Sequence, residues 1–249
     1  MTFSRKDGRS WDEMRPISFQ RGFTCYAEGS VLASFGQTKV ICTATVEEKV
    51  PPFLKGTGKG WVTAEYSMLP RSTSERVSRI GARGFADGRS TEIQRLVGRS
   101  LRACVDLSAL GERTVILDCD VIQADGGTRT AAVSGAFVAL VDSFRFLRDR
   151  GLLSSLPIRF CIAAVSAGKV TGEPLLDLSY GEDSIAEVDM NFVMNEEGQY
   201  AEIQGTGEGC SFSGAELQLF LALARKGTGE VLEAQRKALL LHRDEYASR

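Results

Sequence analysis

Histidine is almost missing from this 249-residue chain, and His242 stands alone near its C-terminal end. Ser-His and Cys-His catalysis both need an imidazole beside the nucleophile, so neither has support. Cysteine occurs at 25, 42, 104, 119, 161 and 210, always singly and never as a C-x-x-C pair. This pattern points away from a zinc site and a disulfide set. Buried free thiols in a reducing compartment are expected, since most cysteines sit in apolar runs such as Val40-Ile41-Cys42. No run of 18 apolar residues occurs, and Arg5, Lys6, Asp7 and Arg9 make the first stretch polar. The expectation is a cytoplasmic protein with no membrane partner. Lysine is scarce as well: of 30 basic residues 22 are arginine, the side chain whose planar fork suits phosphate oxygens.

What is present is charge sorted by segment. Arg71 to Arg102 holds eight arginines, no lysine, and only Glu75, Asp87 and Glu92 against them. Val170 to Ala224 has no Lys or Arg at all, while eleven Asp and Glu residues accumulate there. The net charge of -2 gives no global attraction to a polyanion, so any nucleic-acid contact must come from local arginine clusters.

Short β-rich runs at 23–27, 30–35 and 38–46, separated by Glu28-Gly29 and Gly36-Gln37, predict a meander. Residues 61–68, 113–123, 158–167, 186–194 and 200–205 read as further strands. Helical spacing of Ile93, Leu96, Val97, Leu101 and Cys104 predicts a helix over 91–107 whose opposite face carries Arg95, Arg99 and Arg102. Residues 130–147 predict a helix buried nearly all round, and 214–224 and 230–241 predict two more. Strands and helices mix without strict alternation, which points to an α+β fold with mixed β-sheets packed with helices. With no low-complexity linker, one compact domain is expected over 1–249. Its subregions would be about 10–150, which holds the arginine cluster, and 155–240, which holds the acidic run.

Two features could carry chemistry. Asp125-Gly126-Gly127-Thr128-Arg129-Thr130 is a glycine turn opening a helix, where backbone N–H groups and the positive helix end attract an anion. The same residues would also serve an ordinary strand-to-helix turn with Thr128 as its cap. Arg89, in Asp87-Gly88-Arg89-Ser90 just before the basic helix, could reach an anion there. Glu187, Asp189 and Asn191 alternate on one strand face with Asp183 in the turn ahead, a set of oxygen donors that suits magnesium or, failing that, a solvated acidic face. Gly56-Thr57-Gly58-Lys59-Gly60 is not a P-loop, because a strand and not a helix follows.

Longer blocks extend the picture: Asp7-Gly8-Arg9, Gly60-Trp61-Val62-Thr63-Ala64-Glu65-Tyr66, Met68-Leu69-Pro70-Arg71, Glu92 to Arg102, Gln123 to Ala132, Glu182-Asp183-Ser184, Asp189-Met190-Asn191 and Gln204-Gly205-Thr206. In this order they resemble the ribonuclease PH family of phosphorolytic 3′-to-5′ exoribonucleases, related to polynucleotide phosphorylase and the exosome ring. The resemblance runs nearly from end to end. It implies a ribonuclease PH-like fold, with inorganic phosphate as co-substrate held by Arg89, Gly127, Thr128 and Arg129. Asp183 and Asp189 would take the catalytic and Mg2+-binding roles. It further implies RNA as partner, with trimming of precursor tRNA 3′ ends to release nucleoside diphosphates, and a homohexamer built as a trimer of dimers. Arg71, Arg76 and Arg79 fall in a segment tied to subunit contacts and RNA entry, and Arg95 and Arg99 would guide the RNA backbone. One departure stands out: Gly84-Phe85-Ala86-Asp87-Gly88-Arg89-Ser90 replaces a stretch where the family has a basic residue. The exosome lineage also contains catalytically silent RNA-binding ring subunits, and this stretch is the best motive for that alternative.

Overall fold

The computed structural model describes residues 5–78 and 88–246. Arg79, Arg83 and the Gly84 to Asp87 stretch lie outside the described residues. A first sheet holds β1 (Ile17–Arg21), β2 (Gly29–Phe35), β3 (Thr38–Glu47), β4 (Trp61–Met68) and β5 (Thr114–Gln123), in the order β1-β2-β3-β5-β4. All its pairings are antiparallel except that of β4 with β5. The second sheet is antiparallel throughout, with β6 (Ile162–Val170), β7 (Glu173–Leu176), β8 (Val188–Asn195) and β9 (Tyr200–Gly207) in the order β7-β6-β8-β9. The fold is therefore α+β, as the mixed pattern of elements predicts.

The helices are α1 (Gly88–Cys104), the short α2 (Leu107–Leu110), α3 (Thr128–Asp149), the single turn α4 (Tyr180–Asp183) and α5 (Gly214–Leu239). α3 is long and apolar enough to cross a membrane by composition, but it packs on β2 and β3 on one side and on β6 on the other. Its alanine-rich sequence lets both sheets approach closely, and Ala131, Ala132, Val133, Ala136, Phe137 and Leu140 are wholly buried. One hydrophobic core runs through both sheets by way of this helix.

Several elements differ from their sequence-based expectations. Residues 23–27 are not a strand: Gly22 turns the chain outward at a φ of 63°, Tyr26 is 95% exposed, and the strand pairing with β2 is Ile17–Arg21. The strand expected from residue 158 begins at Ile162, and Ile158 makes only an isolated bridge with Val105. β7 escaped notice because it is four residues long; Thr171 and Gly172, both at positive φ, form the tight hairpin that joins it to β6. α5 runs unbroken through Gly227-Thr228-Gly229, where two helices were expected. Its continuity comes from packing, since a Cβ on Gly227 would lie 2.8 Å from Leu176 Cδ1, and Thr228 is buried. All six cysteines are free; Cys42, Cys104, Cys119 and Cys161 are buried, whereas Cys25 and Cys210 are exposed.

Candidate active-site cleft

The N-terminal end of α3 opens into a cleft of about 560 Å³ lined by Arg89, Gly127, Thr128, Arg129, Asp183 and Asp189, with Ser166, Asn191 and Thr206 among its walls. Basic and acidic residues that are far apart in the chain thus meet in one place.

The glycine turn follows from backbone geometry. β5 ends at Gln123, and the chain reverses through Gly126 and Gly127 at φ values of 73° and 62°. A side chain at Gly126 could not fit, because its Cβ would stand 2.4 Å from Leu178 O. Gly127 caps α3 without any side-chain acceptor, so among the described residues no side chain caps the first N–H groups of this 22-residue helix. Arg129 lies at its second position, with Nη1 at 3.3 Å from Glu92 Oε1 and 3.4 Å from Gln204 Oε1. Arg89 sits within α1 and not in the loop ahead of it, which corrects the expected helix start at residue 91.

Two short structures hold the carboxylates. Glu182 supplies the carboxylate half of a capping box, accepting from the Ser179 N–H at 2.9 Å and its hydroxyl at 3.1 Å, and Asp183 is the last residue of the α4 turn so folded. Asp189 is on β8, where strand alternation points it to the same side as Asn191. Burial raises the Asp183 carboxyl above its ordinary pKa despite the pull of Arg89, Arg129 and Arg15. Burial and the Asp183 charge together push Asp189 up to about 6, against Arg129, Asn191 and Arg89. Among the described residues neither carboxylate has an ion-pair partner, and Asp189 has only a long 3.5 Å contact from Asn191 Nδ2. Two such carboxylates fit a hard divalent cation. Among the described residues no three His, Cys, Asp or Glu side chains gather around a metal position. Magnesium, which commonly takes one or two carboxylates and completes its shell with water and substrate phosphate, suits this donor set better than zinc.

Residues missed from sequence stand behind this front row. Arg15 donates from Nε and Nη2 to Asp177 at 2.9 and 2.7 Å, and its Nη1 donates to the carbonyl of Asp125 in the glycine turn. Asp177 is buried at a positive φ of 54°. Burial alone would raise its carboxyl, but the Arg15 and Arg9 guanidinium groups hold it below its ordinary value. Arg5 donates from Nε and Nη2 to the two Glu182 oxygens at 2.8 Å each, and from Nη2 to the Asp177 carbonyl at 2.9 Å. Burial would likewise raise Glu182, yet Arg5 and the Ser179 backbone lower it. The segment from Arg5 to Arg15 therefore ties the glycine turn to the turn carrying Asp183. The block Asp7-Gly8-Arg9 hinted at this, but no spacing rule connects Arg15 to a partner 162 positions away.

The expected arginine stripe is only partly free. Arg95 is exposed, whereas Arg99 pairs with Glu202 Oε1 at 2.5 Å. Arg102 donates to the Val62 carbonyl at 2.8 Å and stacks over the Trp61 ring at 4.4 Å. Arg71 and Arg76 are exposed on the segment leaving β4. None of Arg71, Arg76, Arg95 and Arg99 lines the cleft, and Arg79 is outside the described residues.

Fold and cleft together define an α+β protein whose cleft sets the N-terminal end of a helix and two arginines against two carboxylates. The family model for domain 1 of the 3′ exoribonuclease family matches residues 13–145, and that for domain 2 matches residues 161–227. The chain belongs to this 3′ exoribonuclease family, of ribonuclease PH type. Among solved structures it is similar to a chain of the Archaeoglobus fulgidus exosome with RNA bound to the active site, at 23% identity and a TM-score of 0.80, covering 92% of each chain. It is also similar to rice (Oryza sativa) Rrp46, at 18% identity and a TM-score of 0.76, covering 94% of this chain and 100% of that one. A chain of an archaeal exosome core matches at 22% identity and a TM-score of 0.74, covering 94% of this chain and 91% of the other.

Proposed function

We propose that the protein is a phosphate-dependent 3′-to-5′ exoribonuclease that shortens RNA from its 3′ end, with precursor tRNA as its substrate class. The observation that carries this reading is the single cleft shared by Arg89, Thr128, Arg129, Asp183 and Asp189. A phosphate dianion would sit against the first N–H groups of α3, the Thr128 hydroxyl and the two arginines. One of its oxygens attacks the phosphorus of the terminal phosphodiester, the P–O3′ bond breaks in line, and a nucleoside diphosphate leaves. The departing 3′ oxygen takes a proton, which one of the two cleft carboxyls would relay. Asp183 and Asp189 would hold Mg2+, which when bound stabilises negative charge on the transferred phosphoryl group. Since one phosphate ester is exchanged for a phosphoanhydride, the reverse addition of nucleotides belongs to the same site. Arg95 and the exposed Arg71 and Arg76 supply positive charge for RNA outside the cleft. The archaeal exosome likeness supports assembly into a ring, for which we propose a homohexamer.

Product analysis tests this directly. Short RNA incubated with Mg2+ should yield nucleoside diphosphates with inorganic phosphate present and nothing without it. Monophosphate products would replace phosphorolysis by hydrolysis. RNA binding with no phosphate-dependent turnover would instead make the chain a silent ring subunit.

A further inference from the structure

Tyr66 on β4 reaches the cleft from behind. It is 2% exposed, and its hydroxyl donates to Thr128 Oγ1 at 2.8 Å. A buried phenol needs an acceptor for its proton, and among the described residues Thr128 Oγ1 is the only partner it has. Burial also raises the phenol above its ordinary pKa, against the pull of Arg89 and Arg129, so it stays protonated and stays a donor. Thr128 is the first residue of α3, with no preceding helical turn to offer a carbonyl, and among the described residues its Oγ1 donates to no acceptor. The open side of Thr128 is the cleft that it lines. A hydroxyl that accepts from Tyr66 keeps its single proton for the other side, where an oxyanion, which offers only acceptors, would take it.

We infer that Tyr66 is a positioning residue that turns the Thr128 hydroxyl into a fixed donor aimed at an acceptor oxyanion held at the N-terminal end of α3. The inference rests on the proposed phosphate site, and it adds a direction to it. With Tyr66 in place, every group contributed by the turn donates: the backbone N–H groups, Thr128 and Arg129. Such a site favours the ionised oxygens of inorganic phosphate over ligands that present hydroxyl or amine protons. Without the Tyr66 hydroxyl, Thr128 is free to rotate and to spend its proton elsewhere.

The test is a set of phosphate-binding titrations on the RNA-free protein, read by calorimetry. Tyr66→Phe keeps the ring and removes one hydroxyl, and is expected to weaken the Kd for inorganic phosphate roughly three- to tenfold, the scale of one hydrogen bond. Thr128→Val should weaken it at least as much. In the Thr128→Val background Tyr66→Phe should add nothing, whereas in the Thr128→Ser background its effect should persist, because the hydroxyl survives. A loosening of the core by Tyr66→Phe would act equally in all three backgrounds, and that result would overturn the inference. So would an unchanged Kd for Tyr66→Phe beside a weakened one for Thr128→Val. Phosphate binding that ignores Thr128→Val and Arg129→Ala alike would sink the phosphate site itself, and this inference with it.

Discussion

Asp189 is kept in a condition the fold alone would not choose. Its carboxyl is half-buried, with the Asp183 charge nearby, and its pKa is raised to about 6. A carboxyl whose folded pKa stands above its unfolded value weakens the fold once the pH exceeds the unfolded value, and does so fully above the folded one. Above pH 6, in magnesium-free buffer, Asp189→Asn is therefore expected to raise the melting temperature by several degrees, with an upper bound of about 3 kcal/mol. The same substitution should abolish phosphorolysis. Added Mg2+ should raise the melting temperature of the parent and leave that of the variant unmoved; equal shifts in both would dissociate Asp189 from the ion. Arg89 makes a complementary case, since its charge bears on both carboxylates from the first turn of α1. Arg89→Ala should lose most turnover at low phosphate and recover part of it at high phosphate. Failure to recover would assign Arg89 to a step other than phosphate binding.

At the scale of elements, the single turn of α4 and the glycine turn before α3 are too short to hold their own shape. A four-residue helix has no cooperative stability of its own, so Asp183 depends on the capping box and on the Arg5 grip on Glu182. The glycine turn depends on Arg15, whose guanidinium spans the buried Asp177 and the Asp125 carbonyl. Breaking a buried pair strands its partner, and Arg15→Ala should cost about 3–5 kcal/mol in chemical denaturation. Among molecules still folded, phosphate affinity should fall while RNA affinity changes little. The Asp177 carboxyl, held below its ordinary pKa, contributes stability that is complete at neutral pH and is lost only as the pH falls below about 4. Acid unfolding of the parent should start there, and in Asp177→Asn the transition should lose part of its pH dependence.

For the molecule as a whole, α3 decides the architecture, because both sheets bury their inner faces against it. A fragment of residues 5–149 would keep the first sheet and α3 but uncover the side that meets β6. It is expected to lack a near-UV circular dichroism signal and to exchange the α3 amides quickly. A sharp, cooperative melt of that fragment would show that the first sheet and α3 stand alone.

The glycine turn, the acidic strand and the buried alanine-rich helix were all legible in the sequence, since each is a local pattern: φ freedom at Gly126-Gly127, period-two alternation at Asp189 and Asn191, small residues from Thr130 onward. Local pattern also explains the failures. The aromatics at Phe23 and Tyr26 look like strand residues, but Ile17–Arg21 takes the edge of β2, and among the described residues no strand pairs with 23–27. Gly227 looks like a helix stop, but Leu176 and Met14 pack against it. Arg15, Asp177 and Tyr66 carried no local signal, because charge pairing across 162 positions and a hydroxyl contact across 62 exist only once the chain is folded. By itself the sequence determined which residue types could hold an anion and a cation, through backbone freedom and formal charge. Only the tertiary structure decided that these groups face one another and how far burial shifts their protons, because distance and solvent exposure belong to the folded chain.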